Sequence, residues 1–423
     1  MTVVTWIEAT LTAARAQALA ALLRYFRDLD TAEEALQDAC LKALQTWPQK
    51  GPPRDPVAWL VFVGRNAAID AVRRRNRQEP LPAEEAISDL DDAEAAIVER
   101  LDGAHYRDDV LRLLFICCHP ELPAAQQIAL ALRIVSGLTV KQIARAFLVG
   151  ESAMEQRITR AKARIAAADV PFEAPGPTGR AERLAAVAAM IYLVFNEGYS
   201  AAADTAPARA PLCEEAIRLA RLLLRLFPGE AEVMGLAALL LLQHARAPAR
   251  FDAAGHIVLL EDQDRSLWDR GMIAEGLALL DEAIRHGPPG PYQVQAAIAA
   301  VHARAARPAE TDWAGIDLLY ATLERLQPSP VITLNRAVAV AKVRGAAAAL
   351  AMVEPLAPQL SGYFHFFGVK GALLLQLGRT DEARIAFDRA ITLARTASEA
   401  AHIRLQIDRL MAGATGEDAR AKI

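Results

Sequence analysis

Residues Thr139–Arg164 read TVKQIARAFLVGESAMEQRITRAKAR, a pattern of two short helices around a turn. In the second helix Met154, Ile158, Ala161 and Ile165 recur as an apolar stripe, and Arg157, Arg160 and Arg164 form a cationic stripe beside it. That is the design of a helix-turn-helix, whose second helix lies in a DNA major groove while its arginines attract phosphate and donate to base edges. An amphipathic hairpin with a solvated charged face has the same pattern. A second observation is needed to separate the two.

It comes from a basic helix far upstream. Asp55 is placed to cap and Pro56 to fill the first turn, after which VAWLVFVGRNAAIDAVRRRNRQ runs without a breaker to Gln78. Asn66, Asp70, Arg73 and Arg77 fall on one face, and Arg74 and Arg75 widen its positive end. An arginine-dense helix end beside amides suits nucleic acid, because cations hold phosphates and flat side chains stack on unpaired bases. Trp59 and Phe62 sit in the apolar run and are expected in the core, and Asp70 is expected to pair with Arg73 or Arg74 on the helix surface.

Between the two basic segments lies EPLPAEEAISDLDDAEAAIVERLDG (Glu79–Gly103), which opens on prolines and carries a run of carboxylates. Its composition is that of a solvated linker. Such a linker lets two readers reach separated DNA elements.

The order AEEALQDACLKAL (Ala32–Leu44), the Arg-rich helix, the acidic spacer and then the two-helix segment resembles the extracytoplasmic-function group of bacterial RNA polymerase sigma factors, in the sigma-70 family. The resemblance implies that Glu33, Glu34, Gln37 and Asp38 face the clamp helices of the polymerase core, with Leu36, Cys40 and Leu44 turned inward. It implies that Asn66, Arg73, Arg74 and Arg77 contact the minus-ten element, and that Ser152, Gln156, Arg157, Arg160, Lys162 and Arg164 serve the minus-thirty-five reader. Sigma linkers also pass through the polymerase channel, a second role open to the acidic spacer. The chain departs from the family early in the second helix, where Ala153, Met154 and Glu155 replace a Thr-Val pair and a lysine. Glu155 is able either to repel phosphate or to accept from a cytosine amino group.

The chain has 423 residues, with 53% hydrophobic and 23% charged side chains, enough core for about three helical domains. Its 47 basic against 51 acidic residues exclude a uniformly basic coat, so DNA affinity must come from local patches. Cys40, Cys117, Cys118 and Cys213 suit reduced thiols in a cytoplasm. Cys117, Cys118 and His119 invite a zinc reading, but adjacent cysteines project differently from a helix and no second pair completes four ligands. No metal or cofactor is therefore expected. With no signal-like N-terminus and no apolar stretch of membrane length, the expected location is the cytoplasm.

The second half is rich in alanine and leucine and punctuated by Gly and Pro, which predicts helices throughout. Leu334–Leu356 and Val369–Leu393 align with Gly345 on Gly378, a period near that of tetratricopeptide repeats, which stack into a curved binding surface. Glu197, Glu261, Asp262, Asp264, His256 and His302 are the residues an enzyme would recruit. No nucleophile elbow, phosphate loop or metal-spaced His pair accompanies them, so no catalysis is expected. Asp262, Asp264 and Arg265 beside Trp268 read instead as a buried or docking network. The segments YLVFNEGYSA, LEDQDRSLWDR, PYQVQAAIAAVHA, TDW and LNRAVAVA resemble the large C-terminal extension of one sigma subgroup, in which the extension is thought to regulate from within.

The expected fold is all-α: a polymerase- and minus-ten-binding domain over 1–78, a linker over 79–104, a helix-turn-helix domain over 105–170, a hinge over 171–180 and a helical-repeat extension over 181–423. The expected function is to direct RNA polymerase core to promoters, with the extension contacting the front domains. The competing expectation is a conventional DNA-binding regulator that acts without polymerase delivery.

Overall fold

The computed structural model describes residues 3–51, 53–76, 110, 113–119, 121–147, 149–167, 177–199, 206–252, 255–394, 403–404 and 407. The spacer over 79–104, Arg77 and the first part of the expected hinge, 171–176, lie outside the described residues. The described chain is all-α, and its only extended pairing is an isolated bridge between Phe251 and Ile257. It forms two compact units, Met1–Val194 and Phe195–Ile423.

The first unit opens with α1 (Val3–Phe26), α2 (Leu29–Lys50) and α3 (Pro56–Asn76), packed on one another. Asp28 caps α2 by accepting from the Thr31 amide at 2.8 Å. Asp55 caps α3 as the sequence predicts, accepting from the amides of Val57 and Ala58 at 2.9 and 3.1 Å. Each cap satisfies donors that the first helical turn leaves orphaned. Buried Trp47 lies between Trp6, stacked at 6.2 Å, and Trp59, edge-on at 5.3 Å. Trp59 packs at the margin of that cluster, and Phe62 is half-buried. A Cβ on Gly64 would meet the Ala35 carbonyl oxygen at 2.7 Å, so glycine is what lets α3 lie directly on α2.

A helical segment at 113–117 precedes α4 (Ala124–Ile134), α5 (Val140–Ala146) and α6 (Glu151–Ala167). Thr139 and Gln142 form a reciprocal capping box at the start of α5. Met154, Ile158, Ala161 and Ile165 are all buried, as the stripe predicts, against α4 and α5. Cys117 and Cys118 are buried in apolar surroundings, and burial pushes the Cys118 thiol up to about 12. Such thiols are protonated and poor metal ligands at neutral pH.

Helix α7 (Pro177–Tyr199) begins inside the expected hinge, since proline at a first helical position costs no hydrogen bond. The second unit continues with α8 (Ala206–Leu226), α9 (Ala231–His244), α10 (Arg270–Ala283), α11 (Pro291–Arg304), α12 (Trp313–Leu326), α13 (Pro330–Arg344), α14 (Ala346–Val353), α15 (Phe364–Gln376) and α16 (Thr380–Leu393). Val233–Leu242 of α9 is wholly buried, and α8, α10 and α11 pack around it. Gly235 and Gly276 make this possible, because a Cβ on either would come within 3 Å of Gln293 or Leu242 respectively.

Glu232 of α9 accepts from the amides of Tyr292 and Gln293, both at 3.1 Å, and so caps the N-terminus of α11 across the helix interface. Arg265 closes the other end, donating from Nη1 to the carbonyls of His302 and Ala305 at 2.9 and 2.5 Å. A cation at a helix C-terminus satisfies its last carbonyls and complements its dipole. Arg265 also lies over the buried Trp268 ring at 5.0 Å. Of the expected buried or docking network, the buried alternative does not hold: Asp262 and Asp264 are exposed, and backbone carbonyls rather than the aspartates are the partners of Arg265.

Burial, with Arg246 and Arg265 nearby, lowers the His302 pKa to about 4. The unfolded chain therefore binds a proton near pH 6.5 that the folded chain refuses until about pH 4. Stability from this group is complete above pH 6.5 and falls as pH drops through that window, by about 3 kcal/mol at most. Urea unfolding at pH 7 and pH 4.5 is expected to show a smaller acid loss for His302→Gln than for the unaltered chain. Equal losses would contradict this account.

Candidate nucleic-acid interface

Three surfaces of the first unit bear on the sequence-derived sites. On α2, Glu34, Gln37 and Asp38 are exposed on one side, and Leu41 continues that stripe at 59% exposure. Leu36 is buried and Cys40 half-buried, as expected. Leu44 is the correction, exposed at 46%, because Ala43 and Trp47 occupy the inward positions of that turn. The face is thus an acidic stripe with two apolar side chains, suited to a partner helix that offers both cations and hydrophobic contact.

On α3, Asn66 is exposed. Next to it in sequence, the Arg65 guanidinium lies 4.7 Å from the centre of the half-exposed Tyr25 ring. This cation–aromatic pair was missed in the sequence because Tyr25 belongs to a different helix. An exposed ring beside a cation is the kind of platform on which an unpaired base stacks. Arg73 and Arg74 lie in the last turn of α3; their side chains, like all of Arg77, lie outside the described residues.

On α6, Ser152, Gln156 and Arg160 are exposed opposite the buried stripe, with Thr159 and Glu155 beside them. Arg157 is half-buried, 6.0 Å over the Phe147 ring, and the Arg164 Nη1 reaches the Glu121 carbonyl at 3.5 Å. Lys141 and Arg145 are exposed on α5, one turn apart. The first helix of a helix-turn-helix crosses the DNA backbone, so these are phosphate-contact positions that the search for a second-helix stripe passed over.

Lys162 lies on the other flank of α6. Its Nζ is 2.6 Å from Asp30 Oδ1 and 2.8 Å from Glu33 Oε2, both on α2. Glu33 is only 4% exposed and also faces the Arg133 guanidinium at 3.1 Å and that of Arg15 at 3.9 Å. Burial works against the Lys162 charge, but the bonds to Asp30 and Glu33 more than offset it and hold its pKa above the usual lysine range. The structure thus brings together one residue assigned to polymerase and one assigned to DNA, each in contact with the other. Gly137 completes the seam: its φ is +72°, and a Cβ there would sit 2.5 Å from Arg15 Cδ.

Among the described residues no group of three or more His, Cys, Asp or Glu side chains is placed to hold a metal ion, and no helix is long and apolar enough to cross a membrane. Of the acids and histidines that an enzyme would use, Glu261 pairs with Lys342, His256 pairs with Asp252, and the half-buried His302 meets Trp313 edge-on.

Residues 11–78 match the family model for sigma-70 region 2, and residues 112–165 match that for sigma-70 region 4. Residues 183–284 match a family of unknown function, DUF6596. An uncharacterized protein of Rhizobium meliloti (strain 1021) is 69% identical over 412 residues, covering 97% of each chain. The region 2 match takes in α2 and α3, and the region 4 match ends on α6, so both contain the surfaces described above. With regions 2 and 4 in this order ahead of a long helical remainder, the chain belongs to the sigma-70 family of promoter-recognising transcription factors and carries a C-terminal extension.

Proposed function

We propose that this protein is a cytoplasmic sigma factor of the extracytoplasmic-function group, which directs RNA polymerase core to a promoter class and is regulated by its own helical-repeat extension. The observation that carries the reading is the succession of three surfaces: the acidic stripe of α2, the exposed Asn66 of α3 beside the Arg65–Tyr25 pair, and the Ser152–Gln156–Arg160 face of α6. In this assignment Glu34, Gln37 and Asp38, joined by Leu41, meet the clamp helices of the core enzyme. Asn66, Arg73, Arg74 and Arg77 engage the minus-ten element, with Arg65 and Tyr25 beside them. Ser152, Gln156 and Arg160 read the minus-thirty-five element, flanked by Arg157 and Arg164, while Glu33 and Lys162 hold the two reading domains together until one or both are engaged.

Two helix pairs support the repeat character of the extension. Helices α13 and α14 meet at Gly345, α15 and α16 meet at Gly378, and both glycines have positive φ, at +86° and +72°. Each pair buries small residues, Ala337 and Ala349 in one and Gly371, Ala383 and Ala390 in the other.

The test is in vitro transcription. With core polymerase the full chain is expected to give promoter-dependent transcripts, and a gel shift is expected to show specific duplex binding only when core is present. Tight operator binding without core would replace this reading with that of a conventional regulator. Ending the chain after Tyr199 is expected to change promoter output several-fold, and unchanged output would make the extension an independent module.

A further inference from the structure

Within the second unit, α11, α12, α13 and α15 surround a cavity of about 850 Å³ that promoter recognition leaves unused. A space of this size is far beyond a packing void and falls in the range of small-molecule sites. Its sides are aliphatic, with Ile316, Val338, Val369 and Leu373 among them, and the buried Phe387 and Ile403 also line it.

Polar side chains also line the cavity, Tyr320, Asn335, His365 and Gln376 among them, and the Lys342–Glu261 ion pair lies beside Trp313. There the Trp313 ring meets His302 edge-on at 5.4 Å, and Lys342 Nζ lies 5.8 Å from the centre of the same ring. The ammonium is 2.8 Å from Glu261 Oε2, in an ion pair whose two side chains are 42% and 52% exposed. The permanently charged side chains lining the cavity are Arg265, Lys342 and Glu261, a net charge of one positive. Arg265 is committed to the carbonyls of α11, so Lys342 is the cation free to change partners. A half-exposed ion pair contributes little, and exchanging its carboxylate for another anion therefore costs little.

We propose that this cavity is a binding site for an amphiphilic organic anion. The apolar body of the ligand lies between Ile316, Val338 and Leu373, and its acidic head takes the place of Glu261 at Lys342, beside the Trp313 ring. Such a molecule would be the input to the extension; that role, unlike the binding itself, rests on the reading of the extension as a regulator.

The test uses the full-length protein and two fluorescent probes of nearly the same shape, anilinonaphthalene sulfonate, an anion, and phenylnaphthylamine, which is uncharged. Anilinonaphthalene sulfonate is expected to bind at a single site and to be excited by energy transfer that weakens in Trp313→Phe. Val338 sits at the rim, 38% exposed, so Val338→Trp fills the opening without disturbing the core and is expected to weaken both probes at least about tenfold. Lys342→Met is expected to weaken the sulfonate by about tenfold and the uncharged probe by less than about twofold. Binding that ignores Val338→Trp places the probe elsewhere and overturns the site. Equal effects of Lys342→Met on both probes overturn its preference for an anion, and absence of binding overturns the proposal. No polymerase or promoter enters the measurement, so its failure is distinct from failure of the sigma-factor reading.

Discussion

Reversing charge at two positions, Arg73→Glu with Arg74→Glu, is expected to lower promoter-dependent transcription at least about a hundredfold while leaving core binding intact. Each lost cation–phosphate or cation–base contact is worth about 1–3 kcal/mol, and each introduced carboxylate adds repulsion from the backbone. Two such changes in one helical turn act on the same short stretch of opened DNA. The α2 stripe of Glu34, Gln37, Asp38 and Leu41 is untouched, so the variant should still comigrate with polymerase core on gel filtration. Both residues lie in the last turn of α3, beyond Gly64 and the tryptophan cluster, so helix content and unfolding midpoint should stay near those of the unaltered chain. Transcription at the ordinary level would remove α3 from the reading surface. Loss of core binding together with transcription would move the two arginines to the polymerase contact.

The second large effect is expected from Glu33→Ala. The change leaves Arg15, Arg133 and Lys162 around an empty site; among the described carboxylates the exposed Asp30 still answers Lys162, and Arg133 keeps the Leu138 carbonyl. Removing one partner of a buried ion cluster typically costs about 3–5 kcal/mol, because the remaining charges stay desolvated. Here α6 has a way out, since it can separate from α2 and return Lys162 and Arg133 to water. Part of the cost should then appear as opening, with the distance between labels on α2 and α6 increasing. A double-mutant cycle pairing Glu33→Ala with Lys162→Met should give a coupling energy of about 1–3 kcal/mol in urea unfolding. A coupling near zero would mean that the two side chains are neighbours without an energetic link. If the seam restrains the readers, the opened variant should also bind duplex promoter DNA more readily in the absence of core.

The helices that carry the candidate interface could be read from the chain because they rest on periodicity. The buried stripe of α6 and the Asp55–Pro56 start of α3 each depend on residues within a few positions of one another. Local spacing is enough to find them. Leu44 shows a different limit: the family resemblance turned it inward with Leu36 and Cys40, yet Ala43 and Trp47 are the residues that α1 and α3 cover. Tyr25 was passed over for the complementary reason, since its partner Arg65 is forty positions away on another helix. The EDQDR segment read as a buried or docking network because four of its five residues carry charge, but the binding partner of Arg265 proved to be the end of α11.

By itself, the sequence determined an all-helical protein with sigma-70 regions 2 and 4 in a fixed order ahead of a helical remainder, because helix formation, capping and amphipathic faces are short-range properties. Tertiary structure alone decided which charges are available to a partner. Glu33 and Lys162 lie far apart in the chain and look equally solvated there, and only the packing of α6 on α2 turns them from two binding residues into one internal contact. The cavity beside Trp313 has the same origin, since a space between several helices belongs to all of them at once and leaves no periodic mark on any of them.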